Sequence, residues 1–360
     1  MRKNFWLMYS FYPGPSQLNP RIPEYMQEAC ASGILSMNHR SPEFVALSAD
    51  VKRLMREKLE LPEGYSVFYV SSATECWEII AENLIAGQSA HLYNGAFGEK
   101  WMIRTRQLGI GVHALPFGLQ EAIDWEKLDI PAEADTLCLT SCETSNGTQL
   151  RNEDYEQARR YFADGIIAVD ATSSLGGIAL PWEQADVWYA SVQKCLGLPA
   201  GMALMICSPR AIERAKELGR TNHYNSVMSM LEQAQKHQTT HTPNVLNIFL
   251  LKKVLEDSLP IHQIEKMIVD RYEAWVCFFQ QFERLNLLIE SEDIRAKTVL
   301  PVKGDVSFVE EIKRMAKNAG YLLGNGYGDW KENSFRIANF PSMAEEAIGG
   351  LREFLTKNFE

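Results

Sequence analysis

The first two thirds of the chain alternate short apolar runs with amphipathic stretches, and that alternation limits the fold more than any other feature. Apolar runs fall at 65–70, 90–93, 111–115, 136–140, 166–170, 187–191 and 202–207. Ser41-Pro42 gives a helix cap followed by proline at the first helical position, and Phe44, Leu47, Val51, Leu54 and Met55 then recur at helical spacing. Helices are likewise expected over 74–84 and 153–162. Short, wholly apolar strands separated by helices form a mainly parallel sheet covered on both faces. The spacing therefore predicts a three-layer α/β unit whose ligands sit beyond the C-terminal ends of the strands.

The last third has a different rhythm. A long helix is expected over 260–285, with Ile264, Met267, Ile268, Tyr272, Trp275 and Phe279 on its apolar face. Strands at 286–290 and 298–302, a helix at 306–318, a strand at 334–339 and a closing helix from Pro341 follow. This is an α+β pattern. The 360 residues suit two domains at roughly 100–200 residues each. The expected division is a large unit over 1–250, opened by an ordered arm at 1–20, and a smaller α+β unit over 251–360. No Gly/Ser linker marks the boundary, which falls within 245–260.

Composition excludes several classes. With 46% hydrophobic and 23% charged residues, the chain has the balance of a globular protein with a sizeable core. The net charge of −10 comes without a basic stripe, so no nucleic-acid partner is expected. No run of 18 apolar residues occurs, and none of the seven cysteines has the spacing of a metal site. Reduced thiols in a cytoplasmic protein, with no metal and no membrane span, is the expectation.

The stretch from 169 to 201 carries the chemistry. Asp170 ends an apolar run and opens Asp170-Ala171-Thr172-Ser173-Ser174. Lys194 follows the next run, in Ser191-Val192-Gln193-Lys194, and a Gly/Pro-rich turn comes after it. Alone, Lys194 would be a solvated loop residue and Asp170 a turn former. Together, at neighbouring strand ends, they suit pyridoxal phosphate. The amine forms a Schiff base with the aldehyde, and the carboxylate keeps the pyridine nitrogen protonated so that the ring withdraws electrons.

The wider motif order resembles the fold-type-I, class V aminotransferases, and within them the phosphoserine-specific branch. Its pieces are FYPGPSQLNP near the start, NHRSPEF at 38–44, SSATE at 71–75, NGAFGEKW at 94–101, CETSNG at 142–147, VDATSS, SVQK, HTPN at 241–244 and SFRIANFP at 334–341. The resemblance implies a homodimer with shared active sites that exchanges an amine between an amino acid and a 2-oxo acid. It implies that Ala73 and Thr74, at a helix N-terminus, bind the cofactor phosphate, as such termini do. Gln193 would also touch the phosphate, and Thr242 would reach it from the partner subunit. Phe97 would stack on the ring and Thr144 would bond to the cofactor. Arg336 would clamp the substrate α-carboxylate, and His39 and Arg40 would take its distal acid.

Departures from the branch bear on substrate. Thr74 stands where the phosphoserine-specific members carry Arg, and the segment 324–330 lacks their His-Arg pair. Phe97 stands for the usual Trp, and His241 for Asn. HRSPEF and VDATSSLGG are closer to the serine/alanine–glyoxylate members of the same class. Phosphoserine with 2-oxoglutarate is the first substrate pair expected, and serine or alanine with glyoxylate the second. Arg220 and His223 are the nearest further donors expected for a substrate phosphate. A cysteine desulfurase would need a late nucleophilic cysteine, but none follows Cys277. A cofactor-free binding module would have no need of both Asp170 and Lys194.

Overall fold

The computed structural model describes residues 8–360; residues 1–7 of the expected arm lie outside the described residues. Seven strands form the large sheet, in the order Ser66–Val70, Ala203–Cys207, Val187–Ser191, Ile166–Asp170, Ala134–Thr140, Gln88–Tyr93 and Gly111–Pro116. Only Ala203–Cys207 runs against the rest. The central strands are apolar throughout because both faces are covered. Ile167, Val169, Trp188, Ala190, Leu204 and Ile206 enter one core, and Ile166, Ala168, Val187, Tyr189, Ala203 and Met205 the other. Each large side chain so buried stabilises the fold by about 1.5–3 kcal/mol.

Local signals set the helices that flank the sheet. Pro42–Leu59 begins where the Ser41 hydroxyl accepts from the Phe44 N–H, and its apolar stripe enters the first core. Ala73–Asn83 begins where Ser72 accepts from the Glu75 N–H, and it covers the second. Its N-terminus, like the ends of the parallel strands, opens toward the site.

A second, five-stranded sheet has the order Tyr9–Phe11, Tyr321–Asn325, Ser334–Ala338, Val299–Lys303 and Asn286–Leu287. Two of these strands were not expected. Tyr9–Phe11 is too short to show a period, and it pairs in parallel with a strand at the other end of the chain. Phe11 is fully buried beside Trp275 and Phe335 in the core of this sheet. Tyr321–Asn325 is only half buried at its start and ends in glycines, so no alternation marks it.

The long helix, Ile261–Phe279, joins the two cores. Ile261, Ile264 and Ile268 pack under the large sheet, and Tyr272, Trp275, Phe278 and Phe279 under the small one. It ends six residues before 285. Phe282 and Leu285, buried in the turn beyond, continue the apolar spacing without continuing the helix. The closing helix, Glu345–Phe359, starts four residues after Pro341, which lies in a turn where the Met343 N–H bonds to the Phe340 carbonyl.

Candidate active site

A cavity of about 780 Å³ opens at the C-terminal ends of the large sheet's parallel strands. That volume suits a cofactor with a small substrate. Asp170 is the last residue of its strand, and the adjacent strand, Val187–Ser191, ends three residues before Lys194. Both side chains line the cavity and are buried. Burial pushes the Asp170 carboxyl upward, against the Thr172 N–H that it accepts at 2.9 Å. Burial pushes the Lys194 amine downward, against the pull of Asp170. The lysine is thus eased toward the neutral amine that a nucleophile needs.

The Lys194 amine is held from three sides. Nζ donates to Thr144 Oγ1 and Ser173 Oγ, each at 3.0 Å, and lies 5.3 Å from the centroid of the Phe97 ring. The N-terminal segment crosses over it. Ser16 bonds through N and Oγ to the Gln193 carbonyl, both at 3.0 Å, and the Asn19 N–H bonds to the Gly197 carbonyl at 2.8 Å. Gly14 passes beside Lys194 Cε with φ +155°, a backbone angle that favours glycine.

Phe97 lies in the first turn of Ala96–Gln107, whose N-cap, Gly95, has no side chain to accept from the helix. The buried Glu143 carboxylate does so instead. It accepts from the N–H groups of Phe97, Gly98 and Ser145 at 3.0, 3.1 and 3.0 Å, and from the Ser145 hydroxyl at 2.6 Å. Burial raises the Glu143 carboxyl, and these bonds oppose the rise. Glu143 therefore ties the stacking ring to the turn that carries Thr144. Sequence reasoning passed over it, although it stands inside the CETSNG motif.

Arg336 comes from the small sheet. Nε donates to the Asn325 carbonyl at 2.6 Å and Nη1 to the Thr144 carbonyl at 2.8 Å, so the guanidinium bridges the two halves of the cavity. Its Cζ lies 5.4 Å from the Tyr327 ring centroid. Two further cations line the cavity, Lys100 and Lys331, neither of them singled out by the sequence. The segment 324–330 does lack a cation, but Lys331 follows it directly and Lys100 reaches it from the Phe97 helix.

Ala73, Thr74, Phe97, Thr144, Asp170, Gln193, Lys194 and Arg336 all line this one cavity. His39, Arg40 and Thr242 do not. Arg40 Nη1 donates to the side-chain oxygens of Gln233 and Gln238 at 2.8 and 2.7 Å, and Thr242 is exposed. Burial, Arg40 and His241 all lower the His39 pKa, so His39 lies near both, and none of the three lines the chain's own cavity. Arg220 and His223 are elsewhere again. Arg220 donates to the Glu82 carbonyl and His223 lies 3.7 Å from the Glu82 carboxylate, and neither lines this cavity.

The lining fits pyridoxal phosphate. Thr140 Oγ1, Thr172 Oγ1 and Gln193 Oε1 are buried on it without hydrogen-bond partners among the described residues. The Ala73 N–H has only a 3.4 Å bond to Ser191 Oγ, at the start of an 11-residue helix. Buried polar atoms ordinarily have partners, so the lining is shaped for a polar guest. Asp170 is the only carboxylate on it among the described residues, placed where a protonated ring nitrogen would find its counter-charge.

Comparison with known proteins agrees with this chemistry. The class V aminotransferase family matches residues 8–317. The chain belongs to the class V aminotransferases. It is therefore a transaminase, acting on an amino acid and a 2-oxo acid with pyridoxal 5′-phosphate as cofactor. Among curated members, the phosphoserine aminotransferase of Rhodococcus opacus is 30% identical over 94% of this chain and 91% of its own length. That of Corynebacterium glutamicum is 28% identical over 95% and 93%. Among solved structures, the phosphoserine aminotransferase of Cytophaga hutchinsonii superimposes with a TM-score of 0.95 at 32% identity, covering 99% of this chain and 100% of that one. The alanine–glyoxylate aminotransferase of Nostoc sp. shares the fold, with a TM-score of 0.83 at 20% identity. Among the described residues of this class V aminotransferase no helix is long and apolar enough to cross a membrane. Cys142 also lines the cavity, but burial pushes its thiol up to about 12, which leaves it a poor nucleophile.

Proposed function

We propose that this chain transfers the amine of phosphoserine to 2-oxoglutarate, as a cytoplasmic homodimer in which residues 1–250, apart from the strand Tyr9–Phe11 in the small sheet, form the cofactor-binding unit and 251–360 the smaller one. The observation that carries this reading is the charge of the cavity. In a chain of net charge −10, the cavity lining carries Lys100, Lys194, Lys331 and Arg336 against one carboxylate, Asp170, among the described residues, which suits substrates with two acid groups. The names of the relatives point the same way.

When bound, the cofactor supplies an aldehyde and an electron-withdrawing ring. The remaining work falls to side chains. Asp170 would hold the proton on the ring nitrogen. Ala73, Thr74 and Gln193 would hold the phosphate, joined by Thr242 of the partner. Phe97 would stack on the ring, and Thr144 would bond to the cofactor. Arg336 fixes the substrate α-carboxylate and so sets the α-hydrogen toward Lys194 Nζ. Lys194, eased toward its neutral form, takes that proton and returns it. Gly14 and the residues around it cover the amine and exclude water.

Serine or alanine with glyoxylate is the second reading, favoured by Thr74, which brings no charge to the cavity rim. A half-reaction screen decides between them. Each amino acid is mixed with purified holoenzyme and the loss of the cofactor's visible band is timed. Phosphoserine should react fastest; faster reaction with alanine or serine would replace the first reading with the second.

A further inference from the structure

The cavity contains a cation, Lys100, that stands inside the NGAFGEKW motif but has no role in the reading so far. Lys100 stands on Ala96–Gln107, one turn beyond Phe97. It makes no ion pair with a carboxylate among the described residues, whereas Lys216, Lys252, Lys253 and Lys266 on other helices each do. Its Nζ instead donates to the Tyr327 hydroxyl and lies 5.0 Å from the Tyr327 ring centroid and 5.5 Å from that of Phe97. Aromatic faces hold a cation in place without neutralising it.

The arrangement forms a line. Lys194 Nζ and Lys100 Nζ lie against the Phe97 ring, and Lys100 Nζ and Arg336 Cζ lie against the Tyr327 ring. The reacting amine, the α-carboxylate clamp and an unpaired ammonium thus share two neighbouring rings. Lys331, on the same wall, has only the adjacent Glu332 at 4.0 Å. Arg336 and these two lysines line the same cavity, so a substrate whose α-carboxylate is on Arg336 shares it with them.

We propose that Lys100, oriented by Tyr327 and supported by Lys331, binds the distal acid group of the substrate and makes this chain selective for acidic amino acids and their 2-oxo acids. This rests on the functional reading above and adds the residues that enforce it. A carboxylate or phosphate entering the cavity replaces the Tyr327 hydroxyl as the partner of Lys100, or joins it, and the ammonium gains the counter-charge it lacks.

The test uses the holoenzyme and compares kcat/KM for phosphoserine, glutamate and alanine in the amine-donating half-reaction. In Lys100→Met the ratio of phosphoserine to alanine should fall roughly ten- to a hundredfold, the range for a lost bond to a charged group. Lys100→Arg should restore most of it, and Tyr327→Phe and Lys331→Met should lower it less. A non-reacting probe, glutarate, should bind Lys100→Met at least about tenfold more weakly by calorimetry. If Lys100→Met fails to fold, Lys100→Gln and Tyr327→Phe report the same ratio. An unchanged ratio and unchanged glutarate affinity, in a wild type that prefers phosphoserine, would overturn the role of Lys100 and leave the functional reading standing. A wild type that prefers glutamate to phosphoserine would remove the phosphoserine reading while the Lys100 comparison still decides. A wild type with no preference for either acid over alanine would overturn both.

Discussion

At the scale of single residues, the site depends on two buried groups of opposite sign at adjacent strand ends. Asp170 and Lys194 were legible because the motifs around them are local: each follows an apolar run and stands in a short, distinctive turn. Lys100 was not legible. Its position at the cavity depends on Tyr327, 227 residues away, and nothing near Lys100 in the sequence announces that contact. Ser173, whose hydroxyl shares Lys194 Nζ with Thr144, stands inside VDATSS, but the motif does not show that its side chain reaches the lysine. Replacing the acid gives a sharp expectation. Asp170→Asn is nearly isosteric and keeps an acceptor for the Thr172 N–H, so the fold and cofactor binding should persist. Without the negative charge, removal of the α-proton should slow by roughly two to four powers of ten. Single-turnover kinetics under saturating amino acid measures this, and a rate within about threefold of wild type would be incompatible with Asp170 as the counter-charge.

At the scale of elements, the sequence showed the strands of the large sheet better than those of the small one. Val187–Ser191 and Ile166–Asp170 are buried on both faces and stand out as apolar runs. Tyr9–Phe11 and Tyr321–Asn325 pair with each other across nearly the whole chain, and their half-exposed residues dilute the signal. Helix ends were blurred where buried side chains outlast the helix, as with Phe282 and Leu285. The helix Ala96–Gln107 shows a different device. Its cap comes from Glu143, so the orientation of Phe97 depends on a residue of another segment. Glu143→Ala should leave three N–H groups without their acceptor and cost roughly 2–4 kcal/mol. Glu143→Gln keeps one acceptor oxygen and should cost less. Thermal denaturation ranks the variants, and a Glu143→Ala melting temperature equal to wild type would mean that the carboxylate is dispensable as a cap.

At the scale of the whole molecule, the cavity is assembled from the large sheet, the small sheet and the N-terminal segment, while His39, Arg40 and Thr242 do not line it. In the homodimer proposed here, those three residues face the cavity of the second subunit. Two inactive variants should then complement each other. Lys194→Ala and a Thr242 variant that has lost activity, mixed under conditions that exchange subunits, should recover part of the wild-type rate. Exchange without recovery would show that each chain completes its own site.

The most direct measurement concerns the lysine itself. Holoenzyme is reduced with borohydride, digested, and the peptide carrying the pyridoxyl group is sequenced by mass spectrometry. The label should lie on Lys194, within Ser191-Val192-Gln193-Lys194, and should be absent from Lys194→Ala even though that variant still binds the cofactor through Ala73, Thr74 and Gln193. A label on any other lysine of the wild-type chain, or one that persists in Lys194→Ala, would contradict the assignment of this cavity as the active site.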